Sequence, residues 1–222
     1  MKHIASPTRA FTLIELLLTS ALIVVLTGLL LPGLKRAQAK AHAVACLSNL
    51  RQWGTATLLW SADHNGLLPP DGSPNGRSIE EGWYVDLPRL MEIPAYHQEP
   101  WRTNSRIALG RSVWICPANA RRSNSNNLFH YCLNGHINGE GTGNQAPLHL
   151  VPEPSRAVWL FDNGKLAAVA GPNNVHTNLH QRGAQFVFLD GHAAHHLNSD
   201  YWNFSSNQGR TDHPELVWSP WE

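Results

Sequence analysis

The chain has 222 residues, a formal net charge of +1 and only 15% charged side chains, enough for one domain with an appended element. It lacks the excess of Lys and Arg that a nucleic-acid-binding surface needs, so no nucleic-acid partner is expected. Nine Trp and a 42% hydrophobic content exclude disorder, while 17 Gly and 15 Pro point to a loop-rich body with short strands.

Residues 1–10 carry Lys2 and Arg9 and no acid, and from Phe11 to Leu31 the only ionisable side chain is Glu15. A helix rising ~1.5 Å per residue over this run spans roughly the 30 Å hydrocarbon core of a bilayer. A secretory signal peptide has similar ingredients, and Ala37-Gln38-Ala39 and Ala41-His42-Ala43 offer small-residue cleavage sites. Two features oppose that reading. The run exceeds the roughly 7–15 residues of a signal core. A carboxylate inside it costs ~2.5 kcal/mol or more at mid-membrane and calls for a partner. Lys2 and Arg9 before the run, against Lys35, Arg36 and Lys40 after it, leave the positive-inside rule undecided.

From Gly33 to about Ser61 the helical pattern becomes amphipathic, with Val44, Leu47, Leu50, Trp53, Ala56 and Trp60 three or four apart. Gly54 costs such a helix ~1 kcal/mol relative to Ala. Asp63-His64-Asn65-Gly66 and Pro69-Pro70-Asp71-Gly72 end it. Residues 67–111 read as irregular, with a short helix near Leu87–Met91. Strand-like runs follow at Ser112–Cys116, Phe129–Leu133, Ala157–Phe161 and Gln185–Leu189. Gln185 to His195 reads as a hairpin, its Asp190-Gly191 suited to a tight turn with both central residues at positive φ. The tail from Tyr201, with Trp202, Trp218 and Trp221, is expected to pack back on the body.

Ala10 followed by Phe11-Thr12-Leu13-Ile14-Glu15-Leu16 resembles the cleavage and methylation motif of type IV pilins and type II secretion pseudopilins. Ala10 stands where that family usually has Gly, and Pro32 falls where its helices commonly carry a kinking proline. The resemblance implies that a prepilin peptidase cuts between Ala10 and Phe11 and methylates the new amine. It implies a bacterial inner-membrane protein with a single span, its head in the periplasm or on an extracellular filament. It also implies an α+β, pilin-like fold: a leader (1–10), a transmembrane and assembly helix (11–61), and a head (62–222) built on a small antiparallel sheet. Glu15 would neutralise the amine of a neighbouring subunit; such a buried pair adds little stability but penalises misregistered packing. A second resemblance covers the body. Cys46-Leu47-Ser48-Asn49-Leu50-Arg51-Gln52, Cys116-Pro117, Tyr131-Cys132-Leu133-Asn134, Ser155–Asp162, and His180 with Asp190-Gly191 are similar to prepilin-type proteins whose C-terminal domain is named for its His-to-Asp-Gly spacing.

Three cysteines allow one intramolecular disulfide, and outside the inner membrane it would persist. Cys46 with Cys116 would staple the body to the helix and leave Cys132 a buried thiol; Cys116 with Cys132 is the alternative. His176, His180, Asp190 and His192 are candidate metal ligands, Zn²⁺ above all, and Asp162, Asn163 and Asp190 could supply oxygens to Ca²⁺. No H-E-x-x-H is present, and the simpler role of His180 is a hydrogen bond to a loop carbonyl or to Asp190. Gly141-Thr142-Gly143 lacks the rest of a phosphate loop and reads as a plain loop. No catalytic constellation stands out, so the expected protein is structural rather than an enzyme, needs no cofactor, and partners other pilin-like subunits. The rival readings are a tethered or secreted metal-dependent domain and a carbohydrate-binding module using exposed Trp.

Overall fold

The computed structural model describes residues 11–138 and 145–221. The leader, Ala10 and Gly141–Gly143 lie outside these. The chain is α+β, and it divides into two compact units, one ending at Ala41 and one covering His42–Glu222. Helix α1 (Leu13–Asp63) contributes to both and continues through Pro32, whose missing N–H leaves the carbonyl of Gly28 without its helical donor.

In the first unit every large apolar side chain from Leu13 to Leu34 is at least 51% exposed. Among the described residues α1 is the one helix long and apolar enough to cross a membrane, which is compatible with membrane anchoring.

In the second unit α1 buries Cys46, Leu50, Trp53, Gly54, Ala56, Thr57 and Ser61. This stripe is rotated from the expected one. Val44 is 67% exposed, and Leu47 and Trp60 are only half-buried. Apolar periodicity missed the rotation because two buried positions are polar. The Thr57 hydroxyl donates to the Trp53 carbonyl at 2.9 Å and accepts from Trp159 Nε1 at 2.8 Å.

The segment between α1 and the sheet is held by rings rather than ladders. Short helix α2 (Trp83–Leu90) opens it. Trp53 packs on Trp83 at 5.3 Å between centroids and on Trp114 at 4.6 Å, and Tyr96 stacks on Phe129 at 3.9 Å. Ser112–Cys116, expected as a strand, is a turn. Its carbonyls are taken by α1 side chains: Asn49 Nδ2 donates to Ser112 and Ile115 at 3.3 and 3.0 Å, and Trp53 Nε1 to Val113 at 3.2 Å.

Five strands form the sheet in the order β3-β1-β2-β4-β5: β1 (Tyr131–Asn134), β2 (Val158–Asp162), β3 (Val169–Ala170), β4 (Gly183–Phe188) and β5 (Ala193–Leu197). It is mixed, not purely antiparallel as expected. The chain leaves β2 at Asp162, opposite Tyr131 at the start of β1. A strand added on the far side of β1 from there runs parallel to β1, as β3 does. One sheet face meets the helix side of the core through Trp159, Leu160 and Val187. Phe161, Phe186 and Phe188 on the other face are covered by the tail residues Tyr201, Leu216 and Trp218.

The β4–β5 hairpin turns as Leu189-Asp190-Gly191, with Gly191 N–H on the Phe188 carbonyl at 2.9 Å and Phe188 N–H on the His192 carbonyl at 3.0 Å. Only Gly191 has positive φ, at 87°. This is a three-residue turn closed by a left-handed glycine, not the expected two-residue form. It presses on α1 at Gly54, where a Cβ would stand 2.6 Å from Val187 Cγ2 and 3.2 Å from the Gly191 Cα.

Gly54→Ala therefore separates two effects. Propensity alone favours Ala in a helix by ~1 kcal/mol, whereas overpacking against β4 and its turn costs about 1–3 kcal/mol. Urea unfolding of the variant is expected to show net destabilisation, and an increase in stability would refute the close approach.

Candidate functional site

Two places carry chemistry. The first is the start of α1. Thr12 N–H and the Thr12 hydroxyl both donate to Glu15 Oε2, at 2.9 and 2.8 Å, and Glu15 N–H returns a bond to Thr12 Oγ1 at 3.3 Å. This is a reciprocal capping box, which satisfies amides the first turn leaves open. The Thr-x-x-Glu spacing of residues 12–15 signals this cap in the sequence, beside the charge that Glu15 carries into the apolar run. Phe11, just ahead of the cap, is 74% exposed.

The second place is a buried cluster where four segments meet. Cys46 on α1 and Cys116 in the turn before β1 are joined as a disulfide across 4.9 Å between Cα atoms. Of the two pairings open from sequence, the structure forms this one and leaves Cys132 a buried thiol, its pKa pushed well up by burial. Linking residues 70 apart in sequence removes unfolded-chain entropy worth about 4 kcal/mol in the loop-closure description.

Around the disulfide the polar groups are nearly all partnered. Tyr131 Oη donates to the Cys46 carbonyl at 3.4 Å and accepts from Asn49 Nδ2 at 3.1 Å. His130 Nδ1 accepts the Cys116 N–H at 3.2 Å while Nε2 lies 3.2 Å from the Arg121 carbonyl, which fixes the neutral tautomer with its hydrogen on Nε2. Burial pushes the His130 pKa down to about 4, against partial compensation from the Arg121 carbonyl and Asp162.

His180 Nε2 lies 3.5 Å from Cys116 Sγ and 3.3 Å from Asp162 Oδ2. Asp162 Oδ2 also accepts the Gln185 N–H at 2.8 Å, while Asp162 Oδ1 is buried without a hydrogen-bond partner. His180 is set in place by a hairpin turn, its N–H and carbonyl exchanging bonds with Gly183 at 3.0 and 2.9 Å. The central residues Gln181 and Arg182 have φ of 47° and 68°, a conformation that costs roughly 1–2 kcal/mol in a non-glycine residue.

The candidate ligands His176, His180, Asp190 and His192 do not gather. Strand β4 runs between His180 and Asp190, and six residues at ~3.4 Å each place them roughly 20 Å apart along it. Asp190 and His192 pair with each other at 2.6 Å at an exposed turn. His176 Nδ1 accepts the Asn178 N–H at 3.1 Å in a loop, not on a helix face. Among the described residues, one set of three or more His, Cys, Asp or Glu converges as ligands: Cys46, Cys116 and His180. The sequence offers Asp162 only as an oxygen donor for calcium and the cysteines only as disulfide halves, because nothing in linear spacing joins positions 46, 116, 162 and 180. Six of the nine tryptophans are buried (Trp53, Trp83, Trp101, Trp114, Trp159 and Trp218), so the Trp content serves packing. No protein-family model, curated protein or solved structure matches this chain.

Buried His130 and half-buried Asp71 tilt the pH dependence in opposite directions. The folded-state pKa of His130, about 4, lies below its ordinary 6.5. Its contribution is full above pH 6.5 and is lost as pH falls towards 4. Asp71, hydrogen-bonded to Asn138 Nδ2 at 2.7 Å, is pushed up by burial from 3.8 to about 6. Its contribution is full below pH 3.8 and is lost as pH rises through 6. Urea unfolding from pH 4 to 8 is expected to show His130→Gln losing about 3 kcal/mol of pH dependence relative to wild type. Asp71→Asn should gain about 1–2 kcal/mol relative to wild type at pH 8 and nothing at pH 4. Parallel curves for all three proteins would rule out both assignments.

Proposed function

We propose that this chain is a membrane-anchored, pilin-like structural subunit, cut before Phe11 by a prepilin peptidase and assembled helix-to-helix with other pilin-like subunits. The filament is a type II secretion-like pseudopilus or a type IV pilus-like fibre. The reading rests on one conjunction: Phe11-Thr12-Leu13-Ile14-Glu15-Leu16 opens a continuous helix whose apolar side chains, Leu13 to Leu34, stay uncovered by the chain itself. Lipid and then neighbouring helices are surroundings that suit such a surface; water is not. The head then presents a disulfide-stapled body outside the inner membrane, where such a bond is durable.

The capping box gives Glu15 two duties that can be told apart. Gln keeps the reciprocal cap, since either residue serves at that position, but it cannot neutralise a neighbour's amine. Mass spectrometry of the mature protein is expected to find a start at Phe11, with or without N-methylation. Glu15→Gln should be processed normally yet assemble at least tenfold less filament, the scale of a misregistered charge left in an apolar core. A mature start at Lys40 or Val44 would sink the reading and leave a secreted protein. Normal assembly of Glu15→Gln would confine Glu15 to the cap.

A further inference from the structure

We infer that Cys46, Cys116 and His180 bind Zn²⁺ as three buried ligands when the Cys46–Cys116 bond is reduced, with Asp162 beside His180 as the supporting carboxylate. The inference does not depend on whether the chain polymerises. All four residues are at most 3% exposed, and they come from α1, the turn before β1, the end of β2 and the turn before β4.

The geometry is specific. A tetrahedral zinc with Zn–S about 2.3 Å and Zn–N about 2.0–2.1 Å sets its sulfur–nitrogen edge at roughly 3.5 Å. His180 Nε2 stands 3.5 Å from Cys116 Sγ and 3.3 Å from Asp162 Oδ2. Cys46 Sγ, Cys116 Sγ and His180 Nε2 all lie within 4.8 Å of one another. A second observation favours a cation: the fully buried Asp162 carboxylate, with Oδ2 3.3 Å from His180 Nε2 and Oδ1 without a partner, places negative charge beside the imidazole, a costly arrangement that a nearby cation offsets. The Gln185 N–H on Asp162 Oδ2 already orients the carboxylate in the manner of outer-shell support. Two thiolates and an imidazole select zinc over calcium or magnesium, whose ligands are oxygens.

The chemistry balances in two steps. A dithiol reductant delivers two electrons and two protons, breaking the bond between the sulfurs; the reductant becomes its disulfide and the chain gains two thiols. Zn²⁺ then displaces both thiol protons to solvent, while His180 binds through the Nε2 lone pair with its hydrogen on Nδ1. The metal thereby ties α1 to the residue 116 turn in place of the covalent bond, and the head keeps its crosslink under reducing conditions.

The test uses the full chain in detergent, oxidised or reduced with a dithiol that is then removed anaerobically. Zn²⁺ is supplied either before reduction or after it. The reduced chain should hold about one zinc and the oxidised chain less than about a tenth, as expected of a site that needs both thiolates. Co²⁺ should give a thiolate-to-metal charge-transfer band in the reduced chain only, and zinc should raise the melting temperature of the reduced chain only. His180→Gln and Asp162→Asn, each first shown to be folded in the oxidised form, should weaken zinc binding at least tenfold. Failure of the reduced chain to take up zinc under both orders of addition overturns the inference. So does undiminished binding by His180→Gln, or by the Cys46→Ser, Cys116→Ser double variant.

Discussion

The head depends on the burial of one face of α1. Cys46, Leu50, Trp53, Ala56 and Thr57 lie on its buried stripe, and Cys46, Trp53 and Thr57 are each tied to a segment that lacks regular structure or reaches the helix only through a side chain. Trp53 fixes the residue 113 turn through its indole N–H and packs on Trp83 and Trp114. Thr57 takes the indole of Trp159 from β2, and Gln185 of β4 reaches the Ala43 carbonyl at 2.7 Å. The five-stranded sheet is narrow, with strands of two to six residues. Sheets of such short strands gain stability chiefly by packing on another layer. Here that layer is a helix whose other end has the composition of a membrane span.

Much of this architecture was legible in the sequence. A long apolar run followed by an amphipathic one predicts a continuous helix, and short strand-like runs bounded by turn residues around Tyr131, Val158 and Phe186 mark three strands close to their true positions. The failures share a cause. Wherever a side chain substitutes for a backbone partner, local pattern misleads: Ser112–Cys116 looks like a strand, yet Asn49 and Trp53 take its carbonyls. The α1 stripe is rotated because Thr57 and Ser61 are buried with Cys46, which an apolar-only count cannot detect. The parallel pairing of β3 follows from chain path, not from composition.

The candidate site shows the same limit more sharply. His180 and Asp190-Gly191 have nine residues between them along the chain, and that spacing proves to measure a strand: β4 begins just after the histidine turn and ends at the glycine-closed one. Proximity in sequence therefore separates these residues in space. The partners His180 does meet, Asp162 and Cys116, are distant in sequence and of types that read separately as a strand end and a disulfide half. Gln181 and Arg182, at positive φ without being glycine, gave no warning of a turn. Their strain is sustained because the buried ends of β2 and β4 determine where His180 must stand.

The disulfide also decides how tension would pass through the molecule. A pull between the start of α1 and the C-terminus follows the covalent backbone to Cys46, crosses to Cys116 and continues along β1. The 70-residue separation closed by that bond includes the end of α1, α2 and most of the aromatic segment. None of it lies on the loaded path while the bond stands. The ring-packed half of the head, which has the fewest backbone ladders, is thus mechanically bypassed, and the strain falls on the antiparallel ladders of the sheet.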